Sequence, residues 1–154
     1  MSIEKVKDYF KHYGMEDKII ELPASSATVA LAAQALNTKE ERIAKSLTFW
    51  VKDIPIMIIT AGDAKIDNHK YKDKFKAKAK MITFEEVEEV IGHAPGGVCP
   101  FSINDNIIVY LDESLKRFET VFPACGSSNS AIELTLEELE KYANYVEWID
   151  VCKY

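Results

Sequence analysis

The sequence predicts an α+β protein, a mixed and curved β-sheet with helices on its periphery, from three observations. Apolar runs of strand length alternate with capped helical segments. Their order lacks the regular strand–helix–strand repetition of a parallel α/β fold. No repeat, low-complexity tract or linker divides the 154 residues, and one hydrophobic core can serve that length, so a single domain over 1–154 is expected.

The elements follow in order. Ile3, Val6, Tyr9, Phe10 and Tyr13 recur at helical spacing, and Gly14 can supply a left-handed end. Lys18 to Leu22 reads as a short strand stopped by Pro23. Ser25 or Ser26 can cap a second helix running through Val29, Leu31, Ala32, Ala35 and Leu36. Thr38 to Glu41 spells a capping box, predicting a short helix that delivers the chain to the next strand. Ile43 to Val51 and Ile54 to Thr60, separated by Lys52-Asp53, predict a hairpin, with Pro55 near the start of its second strand. Ala61-Gly62-Asp63 breaks the pair, and a helix is expected over Asn68 to Phe75. A second capping box, Thr83 to Glu86, opens a helix through Val87, Val90 and Ile91 that stops at Gly92. Strands are expected at Ile107 to Leu111, Glu119 to Phe122 and Ala131 to Leu134. Thr135 to Glu138 is a third capping box before the last helix, and Tyr145 to Val151 alternates as a closing strand.

Composition narrows the class. Apolar residues form 47% of the chain and charged residues 29%, as in ordinary globular domains. No basic-then-apolar leader and no run of membrane-spanning length are present. Cys99, Cys125 and Cys152 are odd in number and lack CxxC spacing, which argues for a reducing compartment and against structural zinc. A soluble, cytoplasmic protein is the expectation. His12, His69 and His93 are scattered without HxxxH spacing, so no metal is expected, and no phosphate-binding or dinucleotide fingerprint points to a cofactor. The net charge of −6 conceals an asymmetry: Lys65 to Lys80 holds seven lysines against two aspartates, a net of +5. Such a patch on an acidic protein can dock a phosphate backbone, and Lys65, Lys70, Lys72 and Lys74 are the candidates. A solvated lysine-rich face is the plainer reading of the same residues.

Two segments carry candidate chemistry. Lys45 is the only charge in the run Ile43 to Val51, with the Ser46 hydroxyl beside it. Gly96-Gly97-Val98-Cys99-Pro100-Phe101 is a glycine–proline turn whose backbone N–H groups can approach a ligand. Cys99 with His93 as base is a rival, nucleophilic reading of that turn, although no Asp or Asn is placed to orient the histidine; a buried, packing cysteine is the plainer one.

Taken in chain order, these segments resemble the YbaK/EbsC family of aminoacyl-tRNA editing domains, which includes free-standing prolyl-tRNA editing proteins. Lys45-Ser46-Leu47 matches the family's pocket lysine followed by a small polar and an aliphatic residue. Gly96 to Pro100 matches its GxxxP loop, extended to GGxxPF by Phe101. Ala61-Gly62-Asp63, Asp67 and the segment Gly126 to Leu134 fall in family order, so the resemblance spans about residues 24 to 150. Two positions depart: Ser102 stands where glycine often follows PF, and Ala131 where some cysteine-editing members carry an acidic residue.

The resemblance implies a partly barrel-like sheet and a hydrolase that deacylates misacylated tRNA, tRNA(Pro) carrying Cys or Ala being the family's problem. Lys45, Gly96 and Gly97 would be catalytic, the glycine N–H groups forming an oxyanion hole; Ser46, Val98, Cys99, Pro100, Phe101 and Gly126 would bind substrate. The chemistry would use water or the substrate itself, without cofactor, and prolyl-tRNA synthetase would be a partner. A non-catalytic tRNA- or synthetase-binding domain of the same fold is the alternative.

Overall fold

Residues 2–154, described by a computed structural model, are organised around the predicted hairpin. In chain order the elements are α1 (Ser2–Lys11), β1 (Ile19–Glu21), α2 (Val29–Leu36), β2 (Ile43–Val51), β3 (Ile54–Ala61), β4 (Lys65–Ile66), α3 (Asn68–Phe75), α4 (Val87–Ile91), β5 (Ile108–Asp112), β6 (Thr120–Pro123), β7 (Ser130–Ile132), β8 (Leu134–Thr135), α5 (Leu136–Ala143), β9 (Glu147–Ile149) and β10 (Cys152–Lys153). Among the described residues no helix is long and apolar enough to cross a membrane.

The main sheet has six strands in the order β8-β6-β2-β3-β5-β9 and curves as a half-barrel. β2 and β3 pair antiparallel from Ala44↔Ala61 to Val51↔Ile54, whereas β3–β5, β5–β9 and β2–β6 are parallel. β3 reads as an unbroken apolar run because it is central: Ile56, Met57, Ile58 and Ile59 are all buried. Two small two-stranded sheets, β1–β7 and β4–β10, close the ends. Inside, Phe10 of α1 meets Phe101 (4.7 Å between ring centroids) and Tyr142 (5.3 Å) in edge-on contacts. A satellite cluster of Ala32, Ala33, Ile43 and Phe122, with Val29 and Leu36 against it, stands apart from this core under α2.

Local signals mostly land where expected, and the exceptions are tertiary. Thr135 and Glu138 complete a reciprocal capping box (Glu138 N–H to Thr135 Oγ1 3.1 Å; Thr135 N–H to Glu138 Oε1 2.9 Å). Thr83 and Glu86 make the same contacts, but around a turn, and the helix starts at Val87. The cap of α2 is Thr28, whose Oγ1 accepts the Leu31 N–H (3.2 Å). Ser25 and Ser26 instead direct their hydroxyls to the Ser128 carbonyl, docking one loop on another. Thr38 to Glu41 forms no capping box: Glu40–Arg42 is a single 3₁₀ turn, and Thr38 Oγ1 accepts from the Arg42 guanidinium (3.4 Å). The Ala131–Leu134 run splits between β7 and β8, which serve different sheets. Tyr145 to Val151 ends as β9, because the Val151 N–H is drawn to the Asp112 carboxylate (3.0 Å) and its carbonyl to the Asp67 N–H (2.8 Å).

Ser102, the residue standing where glycine often follows PF, has φ +56°. A left-handed conformation costs a non-glycine residue about 1–2 kcal/mol, partly offset by the greater freedom glycine has when unfolded. Ser102→Gly is expected to raise unfolding stability by about 0.5–1 kcal/mol, read from denaturant midpoints at constant slope; a loss of stability would show that the serine hydroxyl makes up the difference.

Candidate active site

β6 pairs with β2 only at Ile43 and Ala44, and beyond that point the two strands part around a cavity of about 190 Å³. β2 contributes Lys45 and Ser46, the glycine loop Gly96 and Val98, the start of α2 Ala27 to Val29, and the β6–β7 side Ala124, Ser130 and Ala131. Apolar side chains share this lining with the hydroxyl-bearing Ser26, Thr28, Ser46 and Ser130.

Lys45 is half-buried, and burial holds its pKa below the ordinary lysine value. Its Nζ reaches the Gly62 carbonyl at 3.4 Å, and among the described residues no carboxylate lies within ion-pair distance. The nearest acid, Asp63, is held in a two-pronged bond by Arg117 (3.0 and 2.6 Å), which keeps its carboxyl below the usual range. Arg117 in turn stacks over the Tyr154 ring at 4.0 Å. The ammonium is therefore positioned by a carbonyl and left without a counter-charge. Ser46 Oγ is buried and has no hydrogen-bond partner among the described residues.

The glycines divide by role. Gly96, at φ +90°, lies between Ala27 and Ser128, whose Cβ atoms would be 3.4 and 3.5 Å from an added methyl group. Gly97 is not an available oxyanion donor, because its N–H donates to the Ala94 carbonyl (3.0 Å). It is glycine for packing: a Cβ there would fall 2.6 Å from the Gly126 backbone. Gly126, at φ +93°, sits equally close to the Ser2 carbonyl (2.8 Å to an added Cβ), so α1 supports this loop pair from behind.

Val98 lines the cavity, but the structure does not bring Cys99, Pro100 or Phe101 to it. Phe101 is core, beneath Tyr9 and Phe10, and Pro100 borders a separate depression with Tyr9 and Tyr13. Cys99 does meet His93 (Sγ to Nε2 3.5 Å), yet the arrangement does not make a nucleophile. His93 Nε2 lies 2.7 Å from the Phe101 carbonyl, a contact that places the proton on Nε2 and removes it as a base toward sulfur. Burial pushes the Cys99 thiol up to about 12. All three cysteines are buried. In the native protein they are expected to resist iodoacetamide under conditions that alkylate them fully in denaturant, which mass spectrometry reads directly; rapid native labelling of Cys99 would restore the nucleophilic reading.

The four lysines singled out from the basic run do not form one free surface. Lys70 Nζ bonds Asp150 (3.0 Å) and the Cys152 carbonyl (2.9 Å), and Lys74 pairs with Glu147, so one face of α3 is fastened to β9 and β10. Lys65 and Lys72 are exposed, and Lys65 is near enough to Lys45 to disfavour its charge. The sequence assigns no role to the Ala27–Val29 wall, Ser130 or Arg117, although Ser130 falls within the Gly126–Leu134 segment and Asp63, the partner of Arg117, within Ala61-Gly62-Asp63.

Comparison with known proteins agrees with this architecture. Residues 24–142 match the family described as the aminoacyl-tRNA editing domain. The chain is 51% identical over 154 residues to the uncharacterized protein YwhH of Bacillus subtilis (strain 168), covering 99% of this chain and 98% of that one. It is 25% identical over 144 residues to the "Putative Cys-tRNA(Pro)/Cys-tRNA(Cys) deacylase EbsC" of Enterococcus faecalis (strain ATCC 700802 / V583), covering 92% and 85%. A crystal structure of "a putative trans-editing enzyme for prolyl tRNA synthetase" superimposes with TM-score 0.88 at 30% identity, covering 99% of this chain and 98% of the other. With the half-barrel, the lysine at the strand edge and the glycine loop across from it all in place, the chain belongs to the aminoacyl-tRNA editing domain family.

Proposed function

We propose that this protein hydrolyses the ester bond of a tRNA misacylated with a small amino acid, tRNA(Pro) carrying Ala or Cys being the favoured substrate. The observation that carries the reading is a small cavity, lined by both apolar side chains and hydroxyls, to which Lys45 contributes an uncompensated ammonium. About 190 Å³ is below the roughly 300–1,000 Å³ of ordinary small-molecule sites, so the cavity suits one short side chain. An ester of this kind is already activated. The protein needs to orient it, admit water and stabilise the charge growing on the carbonyl oxygen, a task for Lys45 and the backbone around Gly96. Size then separates substrates, each methylene contributing about 1–3 kcal/mol. Ala131 puts a methyl group in the lining, which favours an uncharged side chain. Of the four candidate lysines, Lys65 and Lys72 are the exposed pair left to meet phosphate, and prolyl-tRNA synthetase is the proposed partner through the named structural relative.

The test is deacylation of tRNA(Pro) charged in turn with alanine, cysteine, serine and proline. Loss of one or more small esters with the prolyl ester intact is the expected result. Tight binding with no ester hydrolysed would replace this reading with a non-catalytic binding domain.

A further inference from the structure

Among the described residues, the edge of β2 that faces away from β3 has two partners, and one residue between them has none. β6 covers Ile43 and Ala44. Further along, the Trp50 N–H donates to the Lys80 carbonyl (2.8 Å), and the Ile82 N–H donates to the Thr48 carbonyl (3.1 Å). Backbone groups along an antiparallel strand alternate in the edge they face. Thr48 and Trp50 face away from β3, so Ser46, two residues earlier, does as well. β6 cannot receive it, since the chain after Pro123 turns to bridge Ala124 with Ala131. Ser46 thus presents both its N–H and its C=O to the cavity that it lines with Gly96, Val98 and Ala124. Beside them is the buried, unpartnered Ser46 Oγ. Polar groups left without a protein partner favour a ligand that can satisfy them.

We propose that this one-residue gap binds the aminoacyl group as a single added strand residue. In a hydrogen-bonded antiparallel pair, one residue offers a donor to its partner's C=O and an acceptor to its partner's N–H. An amino acid esterified through its carboxyl offers the same two groups: the α-ammonium donates to the Ser46 C=O, and the ester carbonyl accepts from the Ser46 N–H. The substrate class is therefore narrowed to esters with a free α-amino group. Formyl-, acetyl- and peptidyl-esters, which lose the ammonium and add bulk where it sits, are excluded. This inference rests on the ester-hydrolase reading for the identity of its ligand.

The experiment is calorimetric binding of 3′-(L-alanyl)amino-3′-deoxyadenosine, whose amide resists hydrolysis, and of its N-acetyl derivative. Acetylation is expected to weaken binding on the order of tenfold or more, the weight of a charge-assisted hydrogen bond. Ser46→Ala keeps the backbone, so the ratio between the two analogues survives whatever happens to overall affinity. Ser46→Pro deletes the N–H; because that group faces the cavity and not β3, the hairpin ladder is kept, and circular dichroism checks that the fold persists. This variant is expected to lose binding of the free-amino analogue. Equal affinity for both analogues, no affinity for either while charged tRNA is still deacylated, or full binding by folded Ser46→Pro would each overturn the inference. Discrimination between the analogues with no deacylation of any tRNA would overturn the hydrolase reading instead.

Discussion

Lys45→Met is expected to reduce ester hydrolysis on the order of 10²–10³-fold while leaving the protein at least as stable as before. Under the proposed function, the rate loss follows from removing a preorganised charge that would stabilise the oxygen on which negative charge develops. Unchanged or improved stability follows from the same structure. The ammonium is half-buried, held only by the Gly62 carbonyl, and has no ion-pair partner, because Arg117 occupies Asp63. Its pKa lies below the free-lysine value of 10.5, so between the two values the unfolded chain binds more protons than the folded one. Stability contributed by this group accordingly rises with pH in that interval, and its cost is greatest below it. Denaturant unfolding should show the variant's advantage at pH 7 shrinking as pH approaches 10.5. A variant that hydrolyses at the wild-type rate, or one that loses both stability and activity, would remove Lys45 from the functional site and make it a structural residue.

The largest effect on the fold is expected from Gly62→Ala. A Cβ at this position would lie 2.0 Å from the Glu40 carbonyl oxygen and 2.8 Å from Val29 Cγ1, and the first of these is backbone that cannot swing aside. Overpacking of this kind costs about 3 kcal/mol, a fall in Tm of roughly 6–12 °C for a domain of this size. Gly14→Ala is the control. Gly14 has φ +68° but nothing within 4 Å of an added Cβ, so it isolates the conformational cost, about 1 kcal/mol. Should Gly62→Ala prove milder than Gly14→Ala, the 3₁₀ turn at Glu40–Arg42 must yield far more readily than its packing implies. The Gly62 carbonyl also positions Lys45, so the strain should reach the site, and activity should fall further than the unfolded fraction explains.

What was legible in the sequence was what the chain decides locally. The β2–β3 hairpin, α3 and the Thr135 capping box each depend on residues within a few positions of one another, and each lies where the pattern placed it. The division of Tyr145 to Val151 depends on Asp112 and Asp67, tens of residues away, and alternation alone reads it as one strand. The site shows the same boundary. Lys45, Ser46, Gly96 and Val98 were visible through their motifs and do converge on one cavity. The rest of the GGxxPF motif reflects loop packing against Gly126 and the aromatic core, a constraint that produces the same letters as ligand contact would. Ser130 and the Ala27–Val29 wall belong to segments about a hundred residues apart that meet only when β1 pairs with β7, so nothing local joins them into one site.

The satellite cluster under α2 has a consequence for how such a protein can change. One wall of the cavity rests on Val29, Ala32, Leu36, Ile43 and Phe122, which pack among themselves apart from the main core. Substitutions at sites that share no neighbours combine almost additively. Exchanges that widen, narrow or polarise this wall therefore draw on a small local reserve, while the stability vested in β3 and its flanking strands stays intact. Under the proposed function, selectivity for one amino acid over another can drift across such a wall by successive single steps, each leaving a folded protein for the next to act on.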